Sequence, residues 1–284
     1  MGHPPRRPTL SAPLRVPRGL DATILLLRHG ESEWVADGRF QGQGDPLLSP
    51  LGRRQAELAG RRLADPARPP ALPVPAGLPQ VIVHSPLQRA VATAAAVAAA
   101  IASDGQDRGG PPPMTVADAG FIEIGQGEWE GVPAADIASR WGATLAGWRR
   151  DPLTAWAPGG ESLPEVDRRV RLSLEGLLAT LGDGRVAGTT NRSQVLGYRD
   201  AAHEAPWAIV VGHDGLFKVA LLALLDLPLA RFWSLPFALC GITIVEFQGG
   251  RARLRAHNLV DHLASLEARS GPAGTADRDR SGAL

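Results

Sequence analysis

The sequence predicts an α/β domain built as a three-layer sandwich, with a mostly parallel central sheet and helices on both faces. Three observations carry this expectation. Short runs of pure hydrophobes alternate along the chain with longer helix-like stretches. The runs lack polar alternation, the mark of strands covered on both faces. Two of them break off into polar residues flanked by glycine, as in LLLRHGE (residues 25–31) and IVVGHDG (residues 209–215), and ligands of open α/β sheets gather just past such strand ends.

Taken in chain order, residues 1–19 read as a proline- and arginine-rich tail. The run Thr23–Leu27 is too short and too uniformly apolar for a helix and reads as the first strand. Ser49-Pro50 opens a helix, the serine capping free amides and the proline fitting the first turn. After a proline-rich loop over 64–80, Val81–His84 reads as a second strand and Ser85-Pro86 as the next helix start. Ser85 with Gln88, and later Ser162 with Glu165, have the spacing of a capping box. A loop over 103–113 leads to a strand at Met114–Asp118. Trp129, Trp141, Trp148 and Trp156 fall on a helical excursion, read chiefly as core packing, with the lining of a leaving-group pocket as the sharper alternative. Beyond an insertion at 184–206 lie a strand at Ala208–Gly212, an apolar helix at Leu216–Leu225, and a hairpin of Ile242–Phe247 with Ala252–His257 around Gly249-Gly250. Nothing forces a second domain, so residues 20–266 are expected to form one unit, with 267–284 a second tail.

Composition narrows the function classes. The 30 lysines and arginines against 29 acidic residues leave a net charge of +1, so no general field draws nucleic acid or an anionic membrane. Any anion site must be local. Lys218 is the only lysine, a bias from which no function follows. The single cysteine, Cys240, excludes an intramolecular disulfide and a cysteine-rich metal site and reads as a small core residue. No apolar run reaches membrane-spanning length, and the N-terminal stretch lacks a secretory apolar segment, so a cytoplasmic protein is expected.

Four polar signals stand at strand ends. Arg28 and His29 end the first, with Gly30 allowing a sharp turn. Arg89 falls in the first turn of a helix, where an arginine is unfavourable for the helix itself but well placed to grip a phosphate held by the free amides. Glu123 follows a strand and precedes a glycine-rich turn, and His213 ends a further strand. Singly, each is open to a plainer reading as a solvated or packed side chain. Together and in this order, they form a pattern.

That pattern resembles the histidine phosphatase superfamily, the phosphoglycerate mutase-like fold, from about Thr23 to Leu263. The motifs that carry the likeness are LLLRHGESEW, RFQGQGDPLLSPLGRRQA, HSPLQRA, the EI…G.WEG segment, APGGESLPEVDRRV, VGHDG and HNLVDHL. The resemblance implies that His29 attacks phosphorus to form a phosphohistidine, that Arg28, Arg89 and His213 surround the phosphoryl oxygens as cations, and that Glu123 is the acid for the leaving oxygen. It also implies phosphate contacts from Gln41 and Gly42. No metal or cofactor is expected, since side chains supply the charge and the histidines lack ligand spacing. The one departure is Val35, where the family pattern carries an asparagine near the phosphate.

The implied function is hydrolysis of a small-molecule phosphate ester, with a homodimer admitted and no nucleic acid or membrane partner. A 2,3-bisphosphoglycerate-dependent phosphoglycerate mutase is the alternative within catalysis, and a weakly active phosphate-ligand binding protein the alternative outside it. Against the mutase stand Gln126 and Ala134, where the mutases resembled here carry tyrosine and a lysine that grips the substrate carboxylate, although Arg149 and Arg150 could restore part of that charge.

Overall fold

The computed structural model describes residues 13–105, 113–183, 194–195, 198–199 and 205–266. A six-stranded sheet forms the middle layer in the order β3-β2-β6-β1-β7-β8. Its strands are β1 (Ala22–Arg28), β2 (Val81–His84), β3 (Met114–Ala117), β6 (Trp207–Gly212), β7 (Ile242–Gln248) and β8 (Arg251–Leu259). The first four run parallel, while β7 pairs antiparallel with β1 and β8 antiparallel with β7. A separate two-stranded pair, β4 (Gln194–Val195) and β5 (Tyr198–Arg199), occupies the described part of the expected insertion, whose remainder lies outside the described residues.

The uniform hydrophobicity of β1 has the predicted cause. Ala22, Ile24 and Leu26 face one core, shared with α5 (Leu163–Asp183) and α6 (Asp214–Leu224); Leu25 and Leu27 face the other, shared with α2 (Pro50–Ala64) and α3 (Gln88–Gly105). With both faces covered, the strand carries a single polar side chain before its end, the buried Thr23. Helix α6 is buried on every side, consistent with its apolar sequence. Strand β3 differs: it lies at the sheet edge and is exposed along its length, Met114 being 65% exposed. Ahead of β1, Leu14 and Val16 already pack against the core, so the folded chain begins before residue 20.

Helix starts follow the sequence unevenly. Ser49 caps α2 by accepting from the Gly52 amide at 3.0 Å. Glu165 Oε2 accepts from both the amide and the hydroxyl of Ser162, the carboxylate half of a capping box. At Ser85 the expectation holds only in part. Its hydroxyl oxygen accepts from the Leu87 amide at 3.3 Å and lies 2.8 Å from His213 Nε2, while helix α3 begins at Gln88, whose amide donates to Asp45 Oδ1 at 2.7 Å. The tryptophans divide: Trp129 and Trp148 are buried core, Trp141 on α4 (Ala134–Arg150) is partly buried, and Trp156 is 40% exposed.

Between β1 and α2 the chain turns through a very close approach. A Cβ on Gly52 would overlap the Glu31 carbonyl oxygen, and one on Gly30 would overlap the Gly52 carbonyl. The turn is fastened by Ser49 N–H to Glu31 O at 2.9 Å and Glu31 N–H to Gln55 Oε1 at 2.8 Å. Gly52→Ala must therefore move backbone against backbone. It is expected to lower stability by about 1 to 3 kcal/mol in urea unfolding, the usual cost of overpacking; a variant as stable as the parent would show that the turn can yield.

Candidate active site

The parallel pairing of β1 and β6 sets Arg28 opposite Gly212, and the His29 amide donates to the Gly212 carbonyl at 2.9 Å. The first histidine thus sits beside the second: the rings of His29 and His213 lie 5.0 Å apart, edge to face. Strand β2 pairs with the other side of β6 and delivers Ser85 and then Arg89 to the same end of the sheet. All five side chains are buried, Arg28 the least so at 6% exposure.

His29 Nδ1 lies 2.6 Å from the Gly30 carbonyl oxygen. A carbonyl can only accept, so Nδ1 carries the hydrogen and Nε2 of the neutral ring carries the lone pair. Arg89 Nε–H points at that lone pair from 3.3 Å. Burial above all, then the charges of Arg89 and Arg28, lower the His29 pKa well below 6.5. At neutral pH the ring is uncharged, with the Nε2 lone pair facing Arg89.

The two arginines are held by main-chain oxygens. Arg89 donates to Gly44 O at 2.7 Å and Gly42 O at 2.8 Å, and Arg28 Nη1 donates to Phe237 O at 2.5 Å. Burial brings Arg89 down to about 10, which still leaves it charged at neutral pH. Gly42 is required by geometry: its φ is +55°, and a Cβ would run into Glu130 Oε1 and the Gln126 amide. That carboxylate joins two loops, accepting from the amides of Gln43 and Gln126, both at 2.9 Å. Gln41 is buried, with Oε1 accepting from the Ser32 hydroxyl at 2.5 Å, an orientation that turns its NH2 group away from Ser32. Val35 contributes only its amide, which donates to the same hydroxyl.

The structure corrects one electrostatic expectation. His213 was expected as a third cation, yet burial first, and then Arg89, His29 and Arg28, lower its pKa well below 6.5. The imidazole is neutral, with Nε2 2.8 Å from Ser85 Oγ, and it completes the cluster as a dipole. Two cations, not three, supply the fixed charge.

Glu123 stands at the start of α6. His213 is the N-cap residue but its side chain makes no cap bond; Glu123 caps instead, accepting from Gly215 N at 3.2 Å, Leu216 N at 2.8 Å and its neighbour Ile124 N at 2.8 Å. These bonds favour the carboxylate. Burial outweighs them, and the pKa is raised. The acid is thereby poised to hold a proton longer than an ordinary glutamate.

Sequence reasoning missed the frame behind this acid. Arg169 donates to the carbonyls of Gly120, Ile122 and Glu123 at 2.7 to 3.0 Å and pairs with Glu161 at 2.8 Å. Gln43 Nε2 adds bonds to Glu123 O and Glu161 Oε2. The APGGES segment is marked in the sequence by its likeness alone, and nothing in the linear spacing pairs Glu161 with the Gly125 amide, 36 residues earlier.

Comparisons with known proteins agree with this geometry. The pattern of the histidine phosphatase superfamily (branch 1) matches residues 24–260, and the chain belongs to that family. It is 31% identical over 247 residues to a bifunctional protein of Mycobacterium tuberculosis, covering 87% of this chain and 56% of that one. The chain thus spans little more than half the length of the curated relatives it first matches. It is 35% identical over 207 residues to a glucosyl-3-phosphoglycerate phosphatase of Mycolicibacterium vanbaalenii, covering 72% of this chain and 75% of that one. The solved structure of a mycobacterial glucosyl-3-phosphoglycerate phosphatase complexed with VO3 superposes with a TM-score of 0.65 at 28% identity, over 84% of this chain and 99% of that one. Among the described residues, no His, Cys, Asp and Glu cluster is arranged to hold a metal ion, and no helix is long and apolar enough to cross a membrane.

The two depressed histidines fix a pH dependence of stability. Below about 6.5 the unfolded chain takes up protons that the folded state refuses, so the stability present above that pH is lost as pH falls through this window. Each site steepens the loss by up to about 1.4 kcal/mol per pH unit. Urea unfolding at pH 7 and 5.5 should show a smaller loss for His213→Asn than for the parent; equal losses would mean that His213 is protonated in the fold.

Proposed function

We propose that the protein is a metal-independent phosphomonoester hydrolase that acts through a phosphohistidine at His29, on a small phosphorylated metabolite. The observation that carries this is the His29 tautomer. With Nδ1–H given to Gly30 O, the lone pair of Nε2 faces Arg89 and lies within the field of Arg28. A phosphoryl group between these cations and the His213 dipole has its developing charge matched by groups already in place, which is the main demand of phosphoryl transfer.

In the first half-reaction Nε2 attacks phosphorus, the P–O bond to the leaving group breaks, and Glu123 gives its proton to the departing oxygen. In the second, the Glu123 carboxylate takes a proton from water, whose oxygen attacks phosphorus as the P–N bond breaks. Inorganic phosphate is released and both side chains return to their starting states. A bound phosphate dianion raises the His213 pKa again, so the ring gains donor strength as substrate enters. The NH2 group of Gln41 takes the part that Val35 cannot play. Hydrolysis is favoured over mutase chemistry because Ala134, at the start of α4, offers no charge to a substrate carboxylate. The named phosphatase relatives support the class of reaction, and the leaving group is read by the loops of this chain.

Acid-labile phosphate should be found on a His29 peptide after alkaline trapping of the enzyme with an aryl phosphate, with EDTA changing neither the labelling nor the turnover. His29→Ala should lose both, and an active His29→Ala would overturn the mechanism. For Glu123→Gln, turnover of an alkyl phosphate should fall by about 100-fold or more, the usual contribution of a general acid, while an activated aryl phosphate suffers far less. Equal losses would remove Glu123 from the role of acid.

A further inference from the structure

The HNLVDHL segment has no part in the chemistry above, yet Asn258 lies at the end of a short path to Arg28. The Arg28 guanidinium rests on the Phe237 carbonyl, and its amide donates to Gly241 O at 3.3 Å. Cys240 N–H donates to the His29 carbonyl at 3.3 Å. Residues 237–241 are thus a strap along the Arg28-His29 backbone, and the orientation of Arg28 depends on where the strap lies.

Asn258 grips that strap at the peptide unit that matters. Its Oδ1 accepts from Ala238 N–H at 2.7 Å, and this N–H belongs to the same peptide group as the Phe237 carbonyl. Donating its hydrogen polarises the group and makes the carbonyl a stronger acceptor for Arg28. The placement is bought with strain: Asn258 has φ +55°, a left-handed conformation that asparagine tolerates better than most residues. The seat for its amide exists because residue 241 is glycine, where a Cβ would overlap Oδ1. Asn258 N–H donates to Thr243 Oγ1 at 3.1 Å. From the other side, Asp214 Oδ1 accepts from Phe237 N–H at 3.2 Å while Oδ2 pairs with Lys218 at 2.7 Å.

We infer that Asn258 is a positioning residue for the phosphoryl-binding Arg28, acting through the Phe237–Ala238 peptide group that its Oδ1 and the Arg28 guanidinium share. The inference rests on the phosphoryl-site reading above, and the two fail separately in the following test. Calorimetric titration with inorganic vanadate is made on the full chain, on Asn258→Gly, Asn258→Ala and Asn258→Asp, on Arg28→Met, and on Arg28→Met/Asn258→Gly.

Asn258→Gly keeps the left-handed backbone without strain, so it removes the side chain alone. It and Asn258→Ala should each weaken vanadate by about tenfold, the scale of a hydrogen bond to a charged group. Asn258→Asp keeps an acceptor oxygen and should lose less. In the Arg28→Met background, Asn258→Gly should have no further effect, since the group it positions is gone. Parent-like affinity in Asn258→Gly, or the same tenfold loss with Arg28 absent, would overturn the inference while leaving the phosphoryl site intact. A parent protein that binds no vanadate, or an Arg28→Met variant that binds it as tightly as the parent, would overturn the site reading and this inference with it.

Discussion

The parallel pairing of β1 with β6 is the constraint on which the rest of the site depends. These strands are far apart in sequence, yet their register sets Arg28 opposite Gly212 and so brings the two histidines into edge contact. A slip of one residue would turn Leu25 and Leu27 from the α2 and α3 core to the opposite face, together with every alternate side chain of β1. The hydrophobic pattern of both faces therefore fixes the register, and through it the geometry of the chemistry. Stability and function share one cause here.

Burial then decides the charge state of what that register assembles. Away from water, His29 and His213 are held neutral and Glu123 is pushed toward its protonated form. The same burial costs stability in acid for the histidines. The amides of Ile124 and Leu216, which donate to the Glu123 carboxylate, limit that rise.

The strands and their order of motifs were legible because apolar runs, glycines and polar strand ends are local signals. Five of the residues that the resemblance implies for the site, Arg28, His29, Arg89, Glu123 and His213, converge at one end of the sheet. What remained hidden was set by long-range partners. Ser85 offers its hydroxyl to the Leu87 amide as a cap would, but the same hydroxyl meets His213, 128 residues away, and Asp45 takes the Gln88 amide from another loop. The neutrality of His213 could not be read either, since it follows from burial beside arginines on other strands. Arg169 and Asn258 act on carbonyls and amides, and main-chain groups carry no sequence signature.

How the arginines are anchored explains why their charge stays available. Arg169 and Lys218 face the carboxylates of Glu161 and Asp214, so these pairs bring no net charge to their surroundings. Arg28 and Arg89 rest on the carbonyls of Phe237, Gly42 and Gly44, neutral acceptors that fix orientation without cancelling charge. Carbonyl anchoring is not confined to these two, for Arg62 is held by the carbonyls of Asp65, Pro66 and Pro70 at the end of α2, where its charge acts on His262. The difference at Arg28 and Arg89 is convergence. Both depress the same His29, and the pKa of Arg89 is lowered by burial first and also by Arg28, with the carboxylates of Glu123, Asp45 and Glu130 offsetting part of this. The fold thus brings two guanidinium groups, each held by neutral carbonyls, beside one imidazole.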